Sequence, residues 1–355
     1  MHVGLVIYGS LDTVSGGYLY DRMLVDYLTQ QGDKVEIISL PWRNYARHLA
    51  DNLSADWRRR LESDFDVIVQ DELNHPSLAW INTRLQQPTP VVSIVHHLRS
   101  SEPRATWQNH IYRAVERRYL NSVDAFIFNS QTTKHVVLEL LGKSKPHIVA
   151  HPAGDRFDSE ITTETIVLRA HSGPLRLLFV ANLIPRKGLH TLIAALNLCP
   201  MVDWQLRVVG SLDVEPAYTR KIQNLLKRWS LEDRVALSGA LNGDGLVRAM
   251  SSAHLMVVPS AYEGFGIVYL EGMGFGLPAI AGAAGAAGEL IADGHNGFLI
   301  PPDNPQALAD CLQSLAADRD RLAQMSLAAL ARYARHPTWA DSTSAIREFL
   351  LGVIG

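Results

Sequence analysis

Between Ser260 and Pro278 the chain reads SAYEGFGIVYLEGMGFGLP, a run of glycines and apolar side chains carrying two carboxylates, Glu263 and Glu271, with seven residues between them. A carboxylate buried without a partner is strongly destabilising, so each should meet a ligand, a cation or hydrogen-bond donors. The preceding VVPS reads as the end of a strand, and a helix is predicted to begin near Gly266 or Ile267. Glu263 then lies in the loop before the helix and Glu271 inside it, so the two should do different work. Backbone N–H groups of Gly264, Phe265 and Gly266 would point at whatever lies over the helix end. Dipole complementation and capping, worth about 0.3–1 kcal/mol, would account for Glu263 alone. They do not account for Glu271, which comes too late in the helix to cap it.

Other residues could act on the same kind of ligand. FVANLIPRKGLHTLIAAL places Arg186, Lys187 and Gly188 between a strand and a helix, where basic side chains reach phosphate oxygens. An exposed basic turn is the alternative. Ser15, Gly16 and Gly17 precede the first helix, where glycine lets the backbone approach an anion or simply satisfies a turn. His96 and His97 follow a strand in SIVHHLRS and, taken alone, read as loop histidines with ordinary partners. Asp64-Phe65-Asp66 has the D-x-D form of a metal motif, but it stands where a helix end meets a strand start, which explains it without a metal.

These residues need elements to position them. HVGLVIY (2–8), KVEIISL (34–40), DVIVQ (66–70), VVSIV (91–95) and AFIFN (125–129) read as strands in the first half, with an amphipathic helix over 17–32. After the polar stretch 156–174 the pattern restarts with LRLLFVA (175–181), WQLRVVG (204–210), RVALSG (234–239), LMVVPS (255–260) and the shorter AIAG (279–282). Strands apolar on both faces and separated by helices predict parallel sheets covered on both sides. The chain is therefore expected to be α/β, with two Rossmann-like domains whose sheets face a central cleft. The expected boundaries are 1–165, 166–335 and a closing segment 336–355. Ligands of such sheets bind beyond the C-terminal strand ends, where the residues above lie.

Composition narrows the partners. The 355 residues carry 19% charged side chains and a formal net charge of −3, which gives no reason to expect nucleic acid. Cys199 and Cys311 lack metal-like spacing and suit a reducing compartment. MHVGLVIYGS lacks the form of a signal peptide, and the uncharged run 272–288 is broken by Pro278 and glycines, so a cytoplasmic protein is expected. In RATWQNHIYRAVERRYL (104–120), Trp107, Ile111, Val115 and Tyr119 share one helical face and Arg113 and Arg117 another. With ADWRRRL (55–61) this leaves open a peripheral contact with the inner face of a membrane, against an ordinary domain helix with a solvated face. No G-x-G-x-x-G follows the opening strand of either half, which counts against a nicotinamide-dependent dehydrogenase.

Taken in order, SGG, VHH, HPAGDRF, VANLIPRKG, VVG, LSGAL, EGFGIVYLE, GELIADGHNGFLIPPDNPQAL and a closing segment with Trp339 resemble family 4 of the retaining glycosyltransferases, which have the GT-B fold. The resemblance covers nearly the whole chain. It implies hexosyl transfer from a nucleotide sugar (UDP-, GDP- or ADP-linked) to a sugar or lipid-linked acceptor in glycan, glycolipid or exopolysaccharide synthesis. Neither a cofactor nor a metal is implied, and domain closure would exclude water. By the same resemblance Glu271 would bind ribose hydroxyls, and Glu263 and the backbone of Gly264, Phe265 and Gly266 the sugar and phosphates. Lys187 and Arg186 would neutralise the departing diphosphate, Gly16 and Gly17 would approach the donor phosphate, and His96 would lie near the transferring carbon. Gly210 in VVG would line the donor site, and Ala240 and Leu241 the base. Asn182 stands where the family often has arginine, so neutralisation falls more heavily on Lys187 and Arg186. The segment 338–351 resembles the family's C-terminal helix that crosses back to the first domain. A nucleotide-sugar epimerase and a non-catalytic nucleotide-sugar-binding protein are the competing readings.

Overall fold

A computed structural model describes residues 1–86 and 88–355. The chain forms two compact units, Met1–Pro152 with Pro337–Gly355, and Ala153–His336. In the first unit β1 (His2–Tyr8), β2 (Lys34–Leu40), β3 (Val67–Asp71), β4 (Val91–Val95), β5 (Ala125–Phe128) and β6 (His147–Val149) form a six-stranded sheet in the order β2-β1-β3-β4-β5-β6. Every pairing is parallel. All residues of β3, β4 and β5 are buried, as both faces of an inner strand must be, whereas the edge strand β2 alternates between covered and exposed positions.

The second unit repeats the plan with β7 (Leu175–Val180), β8 (Trp204–Val209), β9 (Val235–Leu237), β10 (Leu255–Val258), β11 (Ala279–Gly282) and β12 (Gly297–Ile300). Their order is β12-β11-β10-β7-β8-β9, again all parallel. β6 and β12, three and four residues long, were not among the strands read from the sequence.

Both sheets reverse direction at their first strand. The chain leaves β1 for β2 and returns to place β3 on the other side; it leaves β7 for β8 and β9 and returns to place β10. The loops after β1 and β3, and those after β7 and β10, therefore diverge at a gap between neighbouring strands, where ligands of open α/β sheets bind.

Two expectations need revision. The first unit ends at Pro152, earlier than the boundary expected at 165. The intervening segment serves the second unit: Arg156 pairs with Glu271, and Ile166, in the helix Thr163–Ala170, lies beneath Gly276. In the helix Thr106–Ser122 only Val115 and Tyr119 of the expected apolar face are buried; Trp107 and Ile111 are 66% and 47% exposed. No helix among the described residues is long and apolar enough to cross a membrane.

Candidate active site

In the second unit the switch point gathers the basic residues and Glu263. β7 and β10 pair with Leu177 opposite Leu255 and Leu178 opposite Met256, so their loops start side by side. The Ala261 N–H donates to the Arg186 carbonyl at 2.8 Å, and Arg186 Nη1 donates to the Tyr262 carbonyl at 2.9 Å. Stitched in this way, Lys187 Nζ reaches Glu263 Oε2 at 2.6 Å across 76 positions of sequence. Ser260 Oγ donates to the same oxygen at 3.1 Å. Burial pushes the Glu263 carboxyl up, but Lys187, Arg186 and the hydrogen bonds outweigh it and hold the pKa below the ordinary value. Its backbone is pinned as well, the N–H to Ala284 O at 3.2 Å and the carbonyl by the Ala286 N–H at 2.8 Å.

Glu271 sits within the helix Ile267–Gly274 and is 2% exposed. Its partner is Arg156, whose Nε donates to Oε1 while a terminal nitrogen donates to Oε2 at 3.2 Å. This two-bond grip orients the carboxylate as well as neutralising it. Burial remains the largest influence and leaves the Glu271 pKa raised, with Arg156 opposing. The Arg156 guanidinium also stands 4.2 Å from the Phe157 ring centre. The chain is held there because a Cβ on Gly154 would lie 2.9 Å from Leu270 Cγ and 3.1 Å from the Glu271 nitrogen. The carboxylate that appeared to lack a protein partner therefore has one, 115 residues earlier.

At the start of that helix Gly266 has φ +96°, and a Cβ there would run into the Tyr269 ring. Tyr269 Oη donates to Val258 O at 2.6 Å, tying the helix behind the end of β10. Phe265 is 3% exposed with its ring against His336, so Gly264, Phe265 and Gly266 present backbone rather than side chains. Gly210, at φ +148°, has no room for a Cβ against the Ala181 carbonyl, and its N–H donates to Gly239 O at 2.9 Å. Ala240 and Leu241 follow Gly239 at the end of the edge strand β9. Asn182 Oδ1 accepts from the Ser211 N–H at 3.2 Å, which ties the loops of β7 and β8.

In the first unit Gly16 and Gly17 open the helix Gly16–Gln30, capped by Ser15 Oγ, which accepts from Tyr18 N. A Cβ on Gly17 would lie 3.2 Å from His96 Cδ2, so this glycine makes room for the imidazole. His96 follows β4 and its Nε2 stands 3.5 Å from Asp21 Oδ1. Asp71, the last residue of β3, completes a group with Asp21 and His96 whose polar atoms lie within 4.8 Å of one another. His97 turns to Glu102 at 2.9 Å instead. In a second buried group, Glu72, His75 and Glu116, His75 Nδ1 lies 3.0 Å from Glu72 Oε1 and shares a hydrogen bond with the Glu72 carbonyl at 3.1 Å, while the Ser100 N–H donates to Glu116 Oε1 at 3.0 Å. Asp66 Oδ2 accepts from the His2 N–H at 2.6 Å at the opposite, N-terminal end of the sheet, a structural use of the D-x-D sequence.

The structure thus brings Arg186, Lys187 and Glu263 into one contact set and leaves Glu271 to Arg156. Within the first unit it gathers Gly17 and His96. Sequence reading missed Arg156, Ser260, Asp21 and Asp71. Asp21 carried a signal, since it occupies the core-facing stripe of its helix with Leu24 and Leu28. Arg156 carried none, because no spacing rule links it to Glu271.

Known proteins add to this geometry. The family described as Glycosyltransferase Family 4 matches residues 17–154, and that described as Glycosyl transferases group 1 matches residues 161–332. An uncharacterized glycosyltransferase of Methanocaldococcus jannaschii is 33% identical over 138 residues, covering 39% of this chain and 37% of that protein. The phosphatidyl-myo-inositol mannosyltransferase of Mycobacterium leprae is 26% identical over 375 aligned positions, 98% of this chain and 95% of that protein. The solved structure of Anabaena HepE in complex with UDP-glucose superposes with a TM-score of 0.78 at 21% identity, covering 99% of this chain and 100% of that one.

Proposed function

The chain belongs to the glycosyltransferases of family 4 and group 1, with the α/β architecture of the GT-B fold, and from that premise we propose its reaction. It moves a hexosyl unit from a nucleotide-sugar donor to an acceptor hydroxyl, with retention of configuration and without a metal. The observation that carries this reading is the meeting of the β7 and β10 loops, which puts two cations and a helix start around Glu263.

As the glycosidic bond to the diphosphate breaks, negative charge grows on the leaving phosphate and the sugar becomes oxocarbenium-like. Lys187, Arg186 and the N–H groups of Gly264, Phe265 and Gly266 would stabilise that charge, the work a metal does elsewhere. Lys187 already holds Glu263 at 2.6 Å, so the diphosphate would draw this ammonium toward itself and leave Glu263 to a sugar hydroxyl. Glu271, kept oriented by Arg156, would use its remaining lone pairs for the ribose hydroxyls. Asn182, Gly210, Ala240 and Leu241 would border the nucleotide. Gly16, Gly17 and His96 would meet the donor phosphate and transferring carbon from the first unit, which would also bind the sugar or lipid-linked acceptor. In a cytoplasmic protein the exposed Trp107 and Ile111, beside Arg113 and Arg117, would rest on an anionic membrane surface.

A thermal-shift screen against UDP-, GDP- and ADP-sugars tests the reading, starting from UDP-glucose because HepE is seen with it. A ligand that binds only the folded chain raises its melting temperature, so one nucleotide should stand out. Transfer should survive chelation by EDTA, and NMR of the product should show the donor's anomeric configuration. Activity lost to EDTA and restored by Mn²⁺ would remove the metal-free part; no shift with any nucleotide sugar would remove the reading itself.

A further inference from the structure

Asp21 is fully buried, and neither of its carboxylate oxygens has a hydrogen-bond partner. Such a group is among the most destabilising a core can hold, unless a charge or a shared proton compensates it. The fold brings compensation from two places. Asp71 ends β3 opposite Ile94 of β4, and His96 lies two residues beyond Ile94, so register alone sets them side by side at the switch point. Asp21 comes down on them from the helix Gly16–Gln30, 3.5 Å from His96 Nε2, itself buried and without a hydrogen bond.

We propose that Asp21, Asp71 and His96 form one proton-sharing cluster, in which the two aspartates are positioning residues that keep His96 an imidazolium. With His96 charged and one proton shared between the two carboxyl groups, the cluster is neutral, the arrangement a buried site favours. Removing one more proton leaves a net buried negative charge.

The carboxylates facing the ring all act in the same direction. From the first helix come Asp21 and the Tyr20 ring, edge-on at 5.3 Å; from the end of β3 come Asp71 and Glu72. Asn129 and Thr133 approach only the His96 carbonyl, at 2.9 and 3.3 Å. Burial disfavours the charged ring, yet Asp21, Asp71 and Glu72 outweigh it, and the His96 pKa is raised. Burial, with Asp21 adding to it, moves Asp71 up to about 7. The titration therefore belongs to the cluster rather than to one residue. Gly17 completes the device, since any side chain there would press on the ring at 3.2 Å and move it off Asp21.

The charge has a use in transfer, and this part rests on the reaction proposed above: an imidazolium beside the donor can donate a hydrogen bond that a neutral ring of the wrong tautomer cannot. The test reads His96 directly. In full-length protein with ¹⁵N-labelled histidine, the His96 resonance, assigned with His96→Gln, should titrate above the ordinary value of about 6.5. Asp21→Asn, which keeps the shape, should lower that midpoint by at least about one unit (tenfold in proton affinity). Asp71→Asn should reduce a two-step curve to one step. The alkaline limb of the kcat profile should follow the His96 midpoint in Asp21→Asn while the donor KM holds within about twofold.

A wild-type midpoint at or below 6.5, an unshifted midpoint in both variants, or stoichiometric divalent metal on the cluster would each overturn the proposal. If NMR shows the shifts and the rate profile ignores them, the cluster stands and the role of His96 in transfer falls. The wild-type titration needs no variant to fold.

Discussion

Lys187 and Glu263 hold each other before any ligand arrives, with side chains 18% and 13% exposed. Their pairing separates a structural role from a catalytic one. Lys187→Met leaves a largely buried carboxylate with Ser260 as its remaining side-chain donor and should destabilise the second unit by about 1–3 kcal/mol, discounted for partial exposure. Adding Glu263→Gln should restore most of that stability in urea titrations, yet turnover should stay low in both variants. Recovery of turnover with stability would assign the pair to the fold alone. The sign with pH follows from the lowered Glu263 pKa: the folded state holds the charged form more tightly, so the carboxylate's contribution is full above the ordinary carboxylate range. It is lost as pH falls through the lowered value, and the stability gap between wild type and the double variant should narrow there. Glu271 differs, because burial outweighs Arg156 and its pKa is raised.

At the scale of elements, the candidate site is made by strand ends. Short loops leave β7 and β10 side by side, and the next layer of contacts comes from where the backbone passes too close for a side chain. Gly210 is the clearest case, at φ +148° against the Ala181 carbonyl. Gly210→Ala should lower stability by about 1–3 kcal/mol through backbone strain, seen as an earlier thermal transition. If the stability were unchanged and only donor binding weakened, Gly210 would be a ligand contact and not a turn requirement. Most strands were legible, β1, β4 and β11 to the residue as apolar runs because burial on both faces leaves an unbroken pattern, and β2 to the residue by its alternation at the sheet edge. The start of the Glu271 helix was legible too, since Gly266 interrupts the chain just before it. The exposed Trp107 and Ile111 were not, because a shared helical face does not say how much of it the rest of the fold covers.

At the scale of the molecule, the first unit is assembled from both ends of the chain. Ser342 Oγ donates to His151 O at 2.6 Å, and Arg347 Nε donates to Asp33 at 2.7 Å. Asp33 also takes the terminal ammonium of Met1 at 2.8 Å, and Trp339 stands edge-on to Tyr20, 5.8 Å between centres. Ending the chain at His336 should therefore lower the melting transition of the first unit by several degrees, while fragments of the second unit keep their resistance to proteolysis. Equal loss in both units would show that the closing helix is not specific to the first.

By itself the amino-acid order determined the two repeated α/β patterns, the loops that carry chemistry, and the different settings of Glu263 and Glu271. Periodicity and strand ends are local properties, written within a few residues. Tertiary structure decided the partners. Lys187 with Glu263, Arg156 with Glu271, and Asp21 with Asp71 and His96 join residues far apart in sequence through strand order and register, which no local pattern encodes. The seven-residue spacing of the glutamates marked two places on one helix and its loop; the fold supplied a different cation to each.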